Sequence, residues 1–275
     1  MRKSARFQRK RQVDHALLDQ LFSDALLYHK SPEYLELLKF VSRLRDFAPF
    51  NAMLLHMQKP GLRFAASTED WDKRFQRRPK NGARPLIILW PFAPVALVYD
   101  VVDTEGEPLP EDVFSFFAKG PVTGFHIRHL FSKLSRKGIQ CQYIDGGDGN
   151  AGEIVKTYES RSNDEESKYQ VLINRNHSPS TQFATLTHEL AHLFLGHLGA
   201  DTHLKVKDRK GLSSKQRELE AESVSFIVCS RWGIDSRAHV YMADYVGENA
   251  GIGEIGLYEV MTAAGRVENL ITLLK

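Results

Sequence analysis

The segment Thr187-His188-Glu189-Leu190-Ala191-His192-Leu193 constrains this chain more than any other. Its apolar residues fall at helical spacing, and at about 100° per residue His188 and His192 project from one face, one turn apart. Two imidazoles so placed can bind one tetrahedral zinc ion. Glu189 lies beside them, where its carboxylate can take a proton from a water at the metal. With 11 histidines in the chain, a chance HExxH has a probability on the order of a few per cent. A helix with incidental histidines explains neither the apolar neighbours nor the β-prone run Tyr169 to Asn174 upstream. The pattern is that of a zinc metallopeptidase centre, with Zn2+ as cofactor and a protein or peptide as substrate.

Zinc needs a third protein ligand. The candidates lie in Glu218-Leu219-Glu220-Ala221-Glu222-Ser223, which opens a second helical segment. Glu218 and Glu222, four apart, share a helix face, and Glu220 points elsewhere. Glu218 is assigned as the ligand and Glu222 as the partner of His188. Glu220 stays open as the alternative ligand, because helix phase read from sequence is loose. On a continuing helix His197 would point away from the other two histidines, as a support to the site or a solvent-facing residue. His197, Tyr241 and Tyr245 are candidate donors to an oxyanion or to substrate, with no choice among them. The strand Tyr169 to Asn174 is expected to be the edge with which an extended peptide pairs. Two imidazoles and a carboxylate favour zinc over manganese.

The rest of the chain reads as α+β. Helices are expected over 11–29, after Pro32 with Tyr34, Leu37, Leu38 and Val41 on one face, and from Phe50 to Gln58, where Pro60-Gly61 stops it. Leu86 to Trp90 and Ala96 to Val102 read as a strand pair. The stretch Asp103 to Glu111, with Gly106, Pro108 and Pro110, is the best boundary, dividing residues 1–105 from 112–275. Beyond it come a helix from Thr123 to Lys137, with Phe125, Ile127, Leu130, Phe131 and Leu134 as its buried side, and strands at 139–144, 154–158 and 169–174. Helices over 179–196 and 214–232 flank a polar loop, Asp201 to Ser213, which lacks apolar periodicity and is expected to be mobile. A helical and β-hairpin domain followed by a zincin-like metallopeptidase domain results.

Cys141 and Cys229 lack metal or redox spacing and are expected as buried free thiols of a reducing compartment. The apolar stretch 85–99 is broken by Pro91 and Pro94, and no signal-peptide core precedes it, so a cytoplasmic protein without membrane partners is expected. Charge is uneven: residues 1–90 hold 18 Lys/Arg against 9 Asp/Glu, a balance of +9, while the remainder holds 19 against 25, a balance of −6. Lys73, Arg74, Arg77, Arg78, Lys80 and Arg84 cluster beside Trp71 and Phe75. Cations that follow phosphates and aromatics that stack on bases are what single-strand binders combine, so this cluster is a candidate face for single-stranded DNA. The plain alternative makes Trp71 and Phe75 core residues and the cations a solvated loop.

HELAHLFLGH, a polar loop and then ELEAESVSFIV resemble the ImmA/IrrE zincin-like metallopeptidases, and more closely the C-terminal half of ArdC-type antirestriction proteins. PFNAMLLHMQKPGLRFAASTEDWDKRFQRRPKNGARPLIILWP resembles the N-terminal domain of that second family, which is described as binding single-stranded DNA. VYDVVDTEGEPLPE and VYMADYV resemble later family segments. The resemblance implies Glu218 at the third-ligand position. The basic turn Arg77-Arg78-Pro79-Lys80-Asn81-Gly82 departs from the family's usual turn. Three functions follow as expectations: a zinc endopeptidase joined to a DNA-binding domain, an antirestriction or DNA-protecting binder with a structural zinc site, or a regulator that cleaves a repressor or antitoxin.

Overall fold

A computed structural model describes residues 31–90, 93–109, 122–145, 151–157, 169–234, 236 and 255–271. The expected helix over 11–29, Tyr241 and Tyr245 lie outside them. The chain divides into two compact units, Met1–Phe117 and Ala118–Lys275.

In the first unit, α1 (Ser31–Arg43) is amphipathic, whereas α2 (Pro49–Gln58) buries the continuous run Ala52 to His56. Tyr34, Leu37, Leu38 and Val41 recur at three- and four-residue steps on α1, and all are buried. Pro49 opens α2 in its first turn, where a missing N–H does no harm. Strands β1 (Ala65–Ala66), β4 (Ala93–Asp100) and β3 (Leu86–Trp90) form an antiparallel sheet in the order β1-β4-β3. β3 is therefore an edge, and its outward main-chain groups need partners. Two side-chain amides of α2 supply them. Asn51 bonds both the N–H and the carbonyl of Leu89, and Gln58 does the same for Ile87, at 2.8–3.0 Å.

β4 starts earlier than its sequence suggests and stops at Asp100. There the buried carboxylate accepts from the Val102 amide and pairs with Lys59 at 2.6 Å, turning the chain into a short 3-10 segment over Val101–Asp103. Helix α3 (Thr68–Phe75) has no counterpart in the sequence reading. Ser67 caps it by accepting from the Asp70 amide, and Glu69 and Asp70 fill its acidic first turn. Strand β2 (Arg77–Pro79) then pairs with β5 (Thr104–Gly106), so the stretch read as a boundary begins with a paired strand.

In the second unit, α4 (Gly124–Ser135) precedes a three-stranded sheet of β6 (Ile139–Ile144), β7 (Gly152–Lys156) and β8 (Tyr169–Asn174). Its order is β6-β8-β7, with β6 parallel and β7 antiparallel to β8. Ile127, Leu130 and Leu134 form the buried stripe of α4, but Phe125 is 66% exposed. Two positions from Ile127, it sits about 200° around the helix, off the stripe. Phe131 is half-buried against Tyr143.

Helices α5 (Pro179–Phe194), α6 (Ser214–Arg231) and α7 (Leu257–Ile271) complete this unit. Ser178 caps α5, and a Ser213–Gln216 capping box opens α6. Thr187, Ser225 and buried Cys229 hydrogen-bond one another where α5 meets α6. Burial pushes the Cys229 thiol up to about 11 and the half-buried Cys141 thiol up to about 12; both are free thiols. The architecture is mixed α+β, with small sheets in both units. Among the described residues no helix is long and apolar enough to cross a membrane.

Loop 201–213 is built rather than loose. An Asp201–Val206 bridge closes it, Leu204 N–H donates to the Asp201 carboxylate, and Arg209 N–H reaches the Gly196 carbonyl. Its ties run through main chain and charged groups, which leave no apolar period to read.

Candidate metal centre

Helix α5 brings His188, Glu189 and His192 to one side, and α6 brings Glu218 opposite them. One ligand atom from each of His188, His192 and Glu218 lies within 4.8 Å of the others. His188 Nε2 is 3.1 Å from His192 Nε2 and 3.3 Å from Glu218 Oε2, and His192 Nε2 is 3.6 Å from Glu218 Oε1. Ligands about 2.0–2.1 Å from a tetrahedral ion lie roughly 3.3 Å apart, so the two nitrogens, and each nitrogen with one oxygen of the Glu218 carboxylate, stand near the spacing of zinc ligands. The donor set also suits it, being two imidazoles and a carboxylate.

The other ring nitrogens are held by neighbours. His188 Nδ1 lies 3.0 Å from Glu222 Oε2, so Glu218 and Glu222, one turn apart on α6, both address His188. His192 Nδ1 lies 2.9 Å from His197 Nδ1. Glu220 faces the other way and is fully buried. It receives both Arg209 Nη1 and Nη2, at 2.7 and 2.6 Å, the Gly256 amide at 2.8 Å, and His197 Nε2 at 3.1 Å. Among the described residues, then, Glu218 rather than Glu220 stands with the two histidines.

His197 is where the helix ends. Gly196 adopts φ +80°, its N–H bonds to Leu193 O, and His197 N–H bonds back to His192 O. This is a Schellman stop, and it folds His197 under His192 instead of continuing the helix. A Cβ at Gly196 would lie 1.9 Å from the Lys207 carbonyl, so only glycine fits. His197 is 3% exposed with both ring nitrogens engaged, which removes it as an oxyanion or substrate donor. A Gly directly after the helical run was the signal for this turn.

The electrostatics of the metal-free cluster are those of competing cations and carboxylates. Burial works against a charged His188, but the hydrogen bonds it donates to Glu218 and Glu222 outweigh it and push its pKa up to about 10. Hydrogen bonds from His188 and His192 hold Glu218 well below the usual carboxylate range. Burial pushes Glu189 up, partly offset by the two histidines and a hydrogen bond from the Ile154 backbone.

That last bond ties Glu189 to β7, which corrects the expected substrate edge. β8 is the middle strand, paired on both sides, and β7 is an outer strand of the sheet. Gly152 lets β7 approach this closely, since a Cβ there would lie 2.5 Å from Leu172 O and 2.6 Å from Thr185 Cγ2.

The candidate nucleic-acid residues fare differently. Trp71 is fully buried, its indole N–H donates to Tyr99 O at 2.9 Å, and Phe64 and Phe75 pack against it. It is a core residue and has no face to offer a base. Arg77 is half-buried, with its guanidinium on Thr104, Gly106 and Glu107. Lys73, Arg74, Arg78, Lys80 and Arg84 are exposed. Lys73 pairs with Glu69, Arg74 with Asp70 and Arg78 with Glu105, while Lys80 reaches Val102 O.

Residues 135–229, which span β6 to most of α6, match the IrrE N-terminal-like domain of the M78 peptidases. An uncharacterized protein of Bacillus anthracis is 24% identical over 294 residues, covering 86% of this chain and 47% of that protein. The chain thus spans about half the length of this curated relative. Metal-free and Mn(II)-bound structures of the antirestriction protein ArdC from plasmid R388 align over 82% of this chain and 85% of theirs. Their identities are 14% and 15%, and both TM-scores are 0.37.

Proposed function

From an IrrE-like peptidase domain over residues 135–229 as premise, we propose that this chain is a zinc-dependent endopeptidase with a zincin-type site. His188, His192 and Glu218 hold the ion, and Glu189 is the general base. The observation that carries the reading is the convergence of those three ligands, near tetrahedral spacing, beside a carboxylate whose pKa burial has raised. Bound zinc supplies Lewis acidity to a water and to the scissile carbonyl. Glu189 takes the proton of the attacking water and passes it to the departing amine, work for which a raised carboxylate pKa is suited. Glu222 holds His188 by its Nδ1–H, which fixes Nε2 toward the ion. An extended substrate pairs along the outer strand β7, whose Ile154 already meets Glu189.

Glu189→Gln tests this directly. Cleavage of an unfolded protein substrate should fall by about 10²–10⁴-fold with zinc content unchanged. Undiminished cleavage would remove Glu189 as the base and the mechanism with it.

A second reading, a DNA-protecting protein of antirestriction type whose metal does not cleave, draws on the five exposed cations between Lys73 and Arg84. It predicts that single-stranded DNA is shielded from nucleases equally by wild type and by Glu189→Gln. No shielding by either would leave the peptidase reading alone.

A further inference from the structure

The geometry points to His197 and Glu220 as positioning residues for the metal, acting through His192: a Glu220···His197···His192 chain fixes which nitrogen of His192 is free to bind the ion. The inference rests on His192 being a ligand, as proposed above.

The chain can be followed proton by proton. A Glu220 carboxylate only accepts hydrogen bonds, so His197 Nε2, 3.1 Å away, must carry a hydrogen. Arg209 already compensates the charge of Glu220 with two bonds, and His197 is almost wholly buried. Both facts favour a neutral imidazole. A neutral His197 protonated at Nε2 has a lone pair on Nδ1. His192 Nδ1, 2.9 Å from it, must then be the donor. That leaves the lone pair of His192 on Nε2, the atom that faces His188 and Glu218.

The two ligand histidines are thus set by different devices. His188 Nδ1 meets a carboxylate directly, whereas His192 is reached through a second imidazole. The Schellman turn at Gly196 makes the second device possible by returning His197 beneath His192. Glu220 also receives Arg209 from loop 201–213 and the Gly256 amide ahead of α7. The orientation of His192 therefore depends on how that loop and the residues before α7 are seated.

The test uses the full chain and zinc alone. Zinc affinity is measured by competition with a chromophoric chelator for wild type, His197→Phe and His197→Asn, with thermal unfolding recorded beside it. His197→Phe keeps a ring but removes acceptor and donor, and should lose roughly 10–100-fold in affinity. His197→Asn keeps an acceptor at the δ position and should recover part of that loss. In 15N-histidine spectra of the zinc-loaded wild type, His197 should carry its hydrogen on Nε2 and none on Nδ1.

A folded His197→Phe that binds zinc as tightly as wild type overturns the inference and leaves the proposed site standing. If His197→Phe does not fold, the spectrum decides. A hydrogen on His197 Nε2 alone supports the chain of bonds, and a hydrogen on His197 Nδ1 overturns it. Wild type that takes up no zinc overturns both this inference and the proposed function.

Discussion

Asn51, Gln58 and Trp71 in the first unit each donate to main chain, and the two amides also accept from it, whereas His188, His192 and Glu218 in the second turn ligand atoms toward one another. In sequence both groups look alike, as polar or aromatic residues set among apolar ones. The hydrogen-bond count separates them. Asn51 and Gln58 complete an edge strand and Trp71 closes a core, so their polar atoms are satisfied inside the fold. The two Nε2 atoms and the Glu218 carboxylate instead face one another, at spacings near those of zinc ligands.

The largest expected effect breaks the comparison on the first unit's side. Trp71→Ala removes a fully buried indole and its bond to Tyr99, and should destabilise the chain by about 3–5 kcal/mol in urea unfolding. Zinc affinity per folded molecule should not change. Near-native stability together with lost DNA affinity would return Trp71 to a recognition role.

Glu218→Ala tests the second unit. Sharing the roughly 10–16 kcal/mol of a structural zinc site among its ligands gives about 3 kcal/mol for one of them, or on the order of 10²-fold in zinc affinity. Elemental analysis after dialysis should find the metal lost. Retained zinc would remove Glu218 from the ligand set and leave its contacts with the histidines as ordinary polar ones, like those of the first unit.

Much of this contrast is legible in the sequence, and what is not has separate physical causes. Helix phase placed Glu218 and Glu222 on one face of α6 and Glu220 on the other because periodicity survives without knowing the fold. The strand runs 139–144 and 169–174 were legible for the same reason. Sheet order was not: which of β7 and β8 is outer depends on long-range strand pairing, which no local pattern encodes. His197 meets His192 because Gly196 stops the helix there, and a C-terminal Gly is the signal for such a stop. Of the two readings of Trp71, a face for DNA and a core residue, the fold carries the second, and α3 is what decides it. Ser67, Glu69 and Asp70 announce that helix, and its phase turns Trp71 inward.

A smaller effect sharpens the second unit's side. In the metal-free protein His188 is protonated at neutral pH, its pKa pushed up to about 10, while Glu218 is already ionised. Zinc must therefore displace a proton from His188. Because the raised pKa lies above the working range, affinity should increase as pH rises, by about tenfold per unit, and level off near pH 10. The complementary sign holds for stability without metal. What protonated His188 contributes is present below its ordinary pKa and is lost as pH rises through about 10. Chelator competition at several pH values reads the first trend. A flat profile would mean that His188 carries no proton for zinc to displace.

The smallest expected effect returns to the first unit. Arg78, Lys80 and Arg84 are exposed, and the Arg78 pair with Glu105 is solvent-facing. Such pairs contribute about 0–1 kcal/mol, so the triple change to Ala should leave unfolding within roughly 1 kcal/mol of wild type. Its effect on DNA is the informative part. If these side chains follow a single strand, binding should weaken and the slope of log affinity against log salt should fall by about 0.7 per lost phosphate contact. Exposed cations would then be a set of polar groups in the first unit that acts outward. Unchanged binding with an unchanged slope would leave the polar groups of that unit serving only its fold.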